Sequence, residues 1–278
     1  MIPVIIFHIG NQKYLHDCIN SAVKHDNTVH LLNDNPDNFQ QSEKLIVCKY
    51  NEYSTYSNFF KSLYKHYSTN SYQLEFICII RWMCICKYME DKNIEKAFIC
   101  DSDVLIFDNI NNIINKYLPE DMYLCTSGSK NVTGGQSLFT LKKIKEFVNF
   151  ILRFYNTQIP NIEKWKKTYN ERGGICDMTL LYYFAHNVTE FVGLRLPNYP
   201  CYENDLTAIF ENNFTFDLHM GVSGNHLYPD DYEMNGKHKN IKMIDGIPYC
   251  FNKRLNKDIK FVLLHFQGPN KTIMSNYL

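Results

Sequence analysis

Residues 98–107 read FICDSDVLIF. Two aspartates, Asp101 and Asp103, stand one residue apart, with Ser102 between them and apolar runs on either side. The run KAFIC (96–100) reads as a buried strand, and the aspartates close it. Like charges this close at a strand end are costly unless something neutralises them. A divalent cation does so. Hard carboxylate oxygens suit Mg²⁺ or Mn²⁺, in sites that usually also hold substrate phosphates. In α/β sheets, ligands gather outside the carboxyl ends of strands. An isolated D-x-D has a competing reading, a solvated turn after a strand.

Upstream, PVIIFHI (3–9) reads as a buried strand. Gly10-Asn11 and an amphipathic helix over about 12–24 follow, then the strand TVHLL (28–32) and the polar turn NDNPDN. This β-α-β unit opens an α/β fold with parallel strands. Residues 52–68, rich in Tyr, Ser and Phe, predict a helix. A long helix over 72–91, apolar on most faces, encloses the basic residue Arg81. A charge buried there needs a partner, either a ligand or a core carboxylate.

Downstream, MYLCT (122–126) and QSLFT (136–140) read as short strands around GSKNVTGG. Helical spacing covers 141–155. A further helix over 176–186 opens at Asp177, after Gly173-Gly174. Residues 195–258 are loop-rich, and IKFVLLHF (259–266) is a late buried strand. No repeat or linker divides the chain. It is expected to form one domain.

The totals narrow the class. The chain has 278 residues, 45% of them hydrophobic, enough for a sizeable core. Its 29 basic and 29 acidic residues cancel, so bulk attraction to nucleic acid is not expected and any anionic ligand must be held locally. The ten cysteines form no CxxC pair. Most sit in apolar runs and read as reduced structural thiols, which implies a cytosol-like compartment. The start, MIPVIIFHIG, has no basic leader and is too short to span a bilayer, so no membrane segment is expected. Four N-x-[ST] sequons, at Asn131, Asn187, Asn213 and Asn270, carry little weight in an asparagine-rich chain.

Several pieces, in chain order, resemble nucleotide-sugar glycosyltransferases of the GT-A fold, in particular the glycogenin and bacterial lipopolysaccharide galactosyltransferase family. DSD matches that fold's D-x-D. TGGQSLFTLKKIKEF (133–147) is similar to the family's small-residue turn, strand and helix beside the donor sugar. GGICDMTLL (173–181) resembles the segment that sets an aspartate at a helix start near the reaction centre. LLHFQGPNKTIM (263–274) resembles the closing motif H-F/Y-x-G-x-x-K-P-W.

The resemblance implies an α/β fold with a mixed, mostly parallel sheet and helices on both faces, with a nucleotide-binding half (1–126) and an acceptor-side half (127–278). It implies Mn²⁺ or Mg²⁺ held by Asp101, Asp103 and His265. Donor contacts would come from Gly10, Asn11, Asp34, Arg81, Asp101, Ser102, Gly134, Gly135, Gly268 and Lys271. Asp177 and Gln136 would serve the reaction centre. The donor would be a nucleotide sugar, UDP-linked by analogy. The acceptor would be a hydroxyl of a carbohydrate, glycoprotein or glycolipid.

The pattern also departs from the family. The usual N-x-G is TGGQ here. D-Q-D is reduced to ICD (175–177), which keeps Asp177 and puts Cys176 at the glutamine. Pro-Trp after the closing lysine is Thr272-Ile273. These changes bear on stereochemistry: the closing motif implies retention, while Asp177 as general base would imply inversion. Two other readings stay open. One is a haloacid-dehalogenase-type phosphohydrolase with Asp101 as nucleophile, Asp103 as acid/base and the PDD at 229–231 as acidic metal motif. The other is a non-catalytic protein that binds nucleotide or sugar.

Overall fold

Val4, Ile5, Ile6 and Phe7 alternate between two apolar cores, and that alternation lays out the molecule. The structure, a computed structural model, describes residues 1–117, 122–126, 132–157, 174–185, 201–203, 214–221 and 232–278.

Strand β1 (Val4–His8) leads through helix α1 (Lys13–Lys24) to β2 (Val29–Asn33), and β3 (Leu45–Lys49) follows. Helices α2 (Thr55–Leu63) and α3 (Tyr72–Asp91) precede β4 (Lys96–Cys100), and β5 (Val104–Ile106) lies just beyond the paired aspartates. Helix α4 (Ile110–Tyr117), β6 (Met122–Thr126), β7 (Val132–Thr140), α5 (Leu141–Thr157) and α6 (Asp177–Ala185) come next. Then come β8 (Cys201–Glu203), β9 (Phe214–Phe216), β10 (Met234–Asn235), β11 (His238–Lys239), β12 (Lys242–Ile244), β13 (Ile247–Asn252) and β14 (Lys257–His265).

The main sheet has seven strands in the order β3-β2-β1-β4-β7-β6-β8. Only β7 runs against the others, being antiparallel to both β4 and β6. Ile5, Phe7, Ile99 and Phe139 point to one face and pack against α2, α3, α5 and α6. Val4, Ile6, Phe98 and Leu138 point to the other, against α1, α4 and a second sheet. This is the mixed, mostly parallel sheet with helices on both faces that the resemblance implies.

The second sheet runs β12-β13-β14-β5, with β9 added in parallel to β14. The run DSDVLIF therefore does not continue one strand. It leaves the main sheet at Cys100 and enters the second at Val104.

Three local expectations need correction. The reading of 52–68 as one helix gives way to a single-turn helix at Tyr50–Tyr53 and then α2, which ends at Leu63. Strand β3 has no counterpart in the sequence reading; it is a half-buried edge strand with weak alternation. Within the loop-rich 195–258, β12 and β13 form a hairpin turning on Asp245-Gly246, both in the left-handed region (φ 51° and 76°), as Asp-Gly turns favour.

No described helix is long and apolar enough to cross a membrane. Cys18, Cys84, Cys86, Cys100, Cys176 and Cys250 are buried free thiols. The sequon residue Asn270 is buried and bonded to His238. Asn131, Asn187, Asn213, Gly173, residues 127–131 of the glycine-rich turn and the PDD at 229–231 lie outside the described residues.

Candidate functional site

The change of sheet at residues 101–103 builds the site. Asp101 N–H donates to the Gly135 carbonyl at 2.8 Å, the last tie to the main sheet. Phe266 N–H donates to the Asp103 carbonyl at 2.8 Å, the first tie to the second. Antiparallel pairing then sets Val104 opposite His265. Residues far apart in sequence become neighbours: single ligand atoms of Asp101, Asp103 and His265 all lie within 4.8 Å of one another.

His265 is fully buried. Its Nδ1 lies 3.0 Å from the Leu218 carbonyl, which can only accept, so Nδ1 carries the proton there. The Gln267 amide stands 3.5 Å from the same nitrogen, too far to compete. Nε2 faces Asp103 Oδ1 at 3.3 Å and makes no hydrogen bond. Lys271 Nζ lies 3.1 Å from Asp103 Oδ2 and 5.0 Å from the Tyr14 ring centroid. Burial alone would raise the Asp103 pKa, but His265 and Lys271 outweigh it and hold the carboxyl down at about 2. Burial likewise opposes charge on His265 and Lys271, and Asp103 pulls both upward.

The donor set fits a hard divalent ion: two carboxylates and an imidazole whose buried Nε2 has no hydrogen bond. Gly135 supports the fit. A Cβ there would come within 2.2 Å of Asp101 Oδ2, so glycine is what lets this carboxylate lie against β7. Gly135→Ala is therefore expected to displace Asp101 and weaken Mn²⁺ binding. Gly268→Ala serves as a comparison. It lies in the left-handed region (φ 60°) with open space around a Cβ, so it carries backbone strain of about 1–2 kcal/mol but no clash. Calorimetric Mn²⁺ titration of both variants checks this.

Arg81 does not stand alone in its apolar helix. Its guanidinium forks, with Nη1 2.5 Å from Asp101 Oδ1 and Nη2 2.7 Å from Asp177 Oδ2. The core-carboxylate reading of Arg81 thus describes its contacts, and the carboxylates are themselves candidate site residues. Asp177 also accepts from Trp82 Nε1 at 3.4 Å, and its N–H donates to Glu75 Oε1 at 3.1 Å. Glu75 is fully buried; Ser68 and Asn70 donate to its other oxygen. Burial, and then the Asp177 charge, push its pKa up.

The other expected residues separate into groups. Gly134 and Gly135 lie on β7, where a Cβ on Gly134 would meet Trp82 at 2.2 Å. Gln136 is 2% exposed, and its amide donates to the Asp217 carbonyl. Gly10 (φ 99°) follows β1, and its N–H donates to Asp34 Oδ1 at 2.7 Å. Asn11 pairs with His16. Ser102 is half-buried in the turn between the aspartates. Gly268 opens the closing turn that carries Lys271.

Sequence reading missed Glu75, Asp217 and Lys239. Asp217 and His219 lie at 1% exposure behind His265, and burial pushes the His219 pKa down to about 4. A signal existed for Glu75: an acid six positions before Arg81 in the same apolar helix. For Asp217 and Lys239 no local pattern marks the role.

No protein-family model matches the chain, and no curated protein does. Solved structures are similar. Mouse xyloside xylosyltransferase 1, in its apo form, shares 10% identity, with 65% of this chain and 80% of that one covered and a TM-score of 0.45. The galactosyltransferase LgtC, in complex with donor and acceptor sugar analogues, shares 14% identity over 99% of this chain and 95% of its own, with a TM-score of 0.49. An active-site mutant of LgtC gives the same values.

Proposed function

We propose that this chain is a glycosyltransferase that moves a hexose from a nucleotide-sugar donor, UDP-linked, to an acceptor hydroxyl, with Mn²⁺ or Mg²⁺ at Asp101, Asp103 and His265. The observation that carries the reading is the meeting of these three residues where the chain passes from one sheet to the other. The site also lies at the carboxyl ends of β1 and β4, where α/β sheets take their ligands.

Breaking the bond from the sugar to the diphosphate leaves negative charge on the departing nucleoside diphosphate. A bound divalent ion would supply Lewis-acid stabilisation of that charge. Lys271, held beside Asp103, would add a point charge to the diphosphate. Gly10, Asn11 and Asp34 would frame the nucleoside at the end of β1. Arg81 would hold Asp101 and Asp177 in fixed relation, with Asp177 toward the sugar hydroxyls or the acceptor. Retention is the expected outcome from the closing motif. The acceptor would be a carbohydrate, glycoprotein or glycolipid.

The phosphohydrolase reading is less well supported. Its nucleophile normally follows the first strand of the core, whereas Asp101 follows β4 and is ion-paired to Arg81. A thermal-shift screen of nucleotides and nucleotide sugars with Mn²⁺ tests the assignment, because a ligand of the native state raises its stability. UDP or a UDP-sugar should raise the melting temperature only with the metal. Stabilisation by phosphomonoesters, with release of inorganic phosphate, would sink the assignment.

A further inference from the structure

We propose that Asp217 and Lys239 are positioning residues for His265, gripping it through its backbone and its ring so that Nε2 faces Asp103. This rests on the reading of Asp101, Asp103 and His265 as a metal site.

The side chain of Asp217 has 0% exposure. A carboxylate buried that deeply must be compensated. Its Oδ2 accepts from the His265 N–H at 3.0 Å. Its Oδ1 accepts from the Lys239 ammonium at 2.5 Å and from the His219 N–H at 3.2 Å. The next residue, Leu218, takes the ring Nδ1–H of the same histidine. Met220 N–H then donates to the His265 carbonyl at 2.7 Å. One turn, 217–220, thus holds His265 at its N–H, its carbonyl and its ring.

The fold delivers this turn by pairing β9 in parallel with the end of β14, so that Asp217 follows directly on Phe216. Lys239 enters from β11, passes the rings of Tyr232 and Phe261 at 5.7 and 6.0 Å from their centroids, and donates also to the His219 carbonyl. Gln136 ties the turn to the main sheet through the Asp217 carbonyl. Gln136 thereby acts as a strap to this support.

A buried ion pair adds little net stability compared with an apolar replacement. What this pair fixes is the direction of a ring. Outer partners of a metal-binding histidine typically change metal affinity by about 10–100-fold.

The test compares wild type, Asp217→Asn and Lys239→Met. UDP affinity is measured by calorimetry with Mn²⁺ and with EDTA, and electron spin-echo modulation of the bound Mn²⁺ reads the imidazole nitrogen. Asp217→Asn should lose about 10–100-fold of the Mn²⁺-dependent gain. Its affinity in EDTA should be unchanged, and the nitrogen signal should weaken. Lys239→Met should show a smaller loss in the same direction. A fold defect alone would lower both affinities together. Folded variants with the wild-type gain and nitrogen signal would overturn the proposal and leave the metal site standing. If Asp217→Asn does not fold, Lys239→Met decides by the same criterion. A wild-type protein with no Mn²⁺-dependent gain would overturn the metal reading and this proposal with it.

Discussion

Replacing Asp103 with alanine is expected to lower the proposed sugar transfer by about 10²–10³-fold or more, the scale of losing one group that stabilises charge in the transition state. Asp103 is the point where the two halves of the site meet. Its Oδ1 faces His265 and its Oδ2 faces Lys271. Without the carboxylate, the proposed metal site loses a donor and the two basic groups have no charge between them. The fold should survive, because the contact joining Asp103 to Phe266 is made by the backbone carbonyl. Release of UDP from a UDP-sugar, measured at limiting Mn²⁺ and with folding checked by circular dichroism, gives the result. Wild-type turnover in this variant would count against the mechanism.

Arg81→Met is expected to destabilise the protein by about 3–5 kcal/mol, the cost of breaking a buried ion pair from one side. The methionine fills the space but leaves Asp177 buried, with its side chain 7% exposed, and Asp101 partly so at 28%. Arg81→Lys should not restore stability. One ammonium cannot span two carboxylates that a planar guanidinium joins as a fork. Urea denaturation measures the loss, and a change below about 1 kcal/mol would show that water already screens the pair.

Asp101 and Asp103 as metal candidates, and much of the strand–helix order, were legible for physical reasons, whereas His265 entered through the resemblance of the closing motif. DSD and HFQGPNK each sit at the end of a strongly apolar strand, and α3 matches its apolar run of 72–91. What could not be read was the partnership of buried polar groups. Arg81 was visible as a charge needing compensation, but its fork to Asp101 and Asp177 depends on α3, β4 and α6 converging. Asp217 follows a three-residue strand, and its role appears only when β9 is laid beside β14. Gln136 looked like a reaction-centre residue from its motif, yet its side chain turns toward Asp217. The joint within DSDVLIF was hidden for a similar reason: an apolar run has the same pattern whether its strands share a sheet or change sheets.

The most direct measurement is calorimetry of UDP binding, with Mn²⁺ and with EDTA, in wild type and in His265→Ala. The site as described predicts much tighter binding with Mn²⁺ in the wild type and loss of most of that gain in His265→Ala, with little change in EDTA. Equal wild-type affinity in Mn²⁺ and EDTA, or an undiminished gain in His265→Ala, would contradict a metal shared by Asp103 and His265.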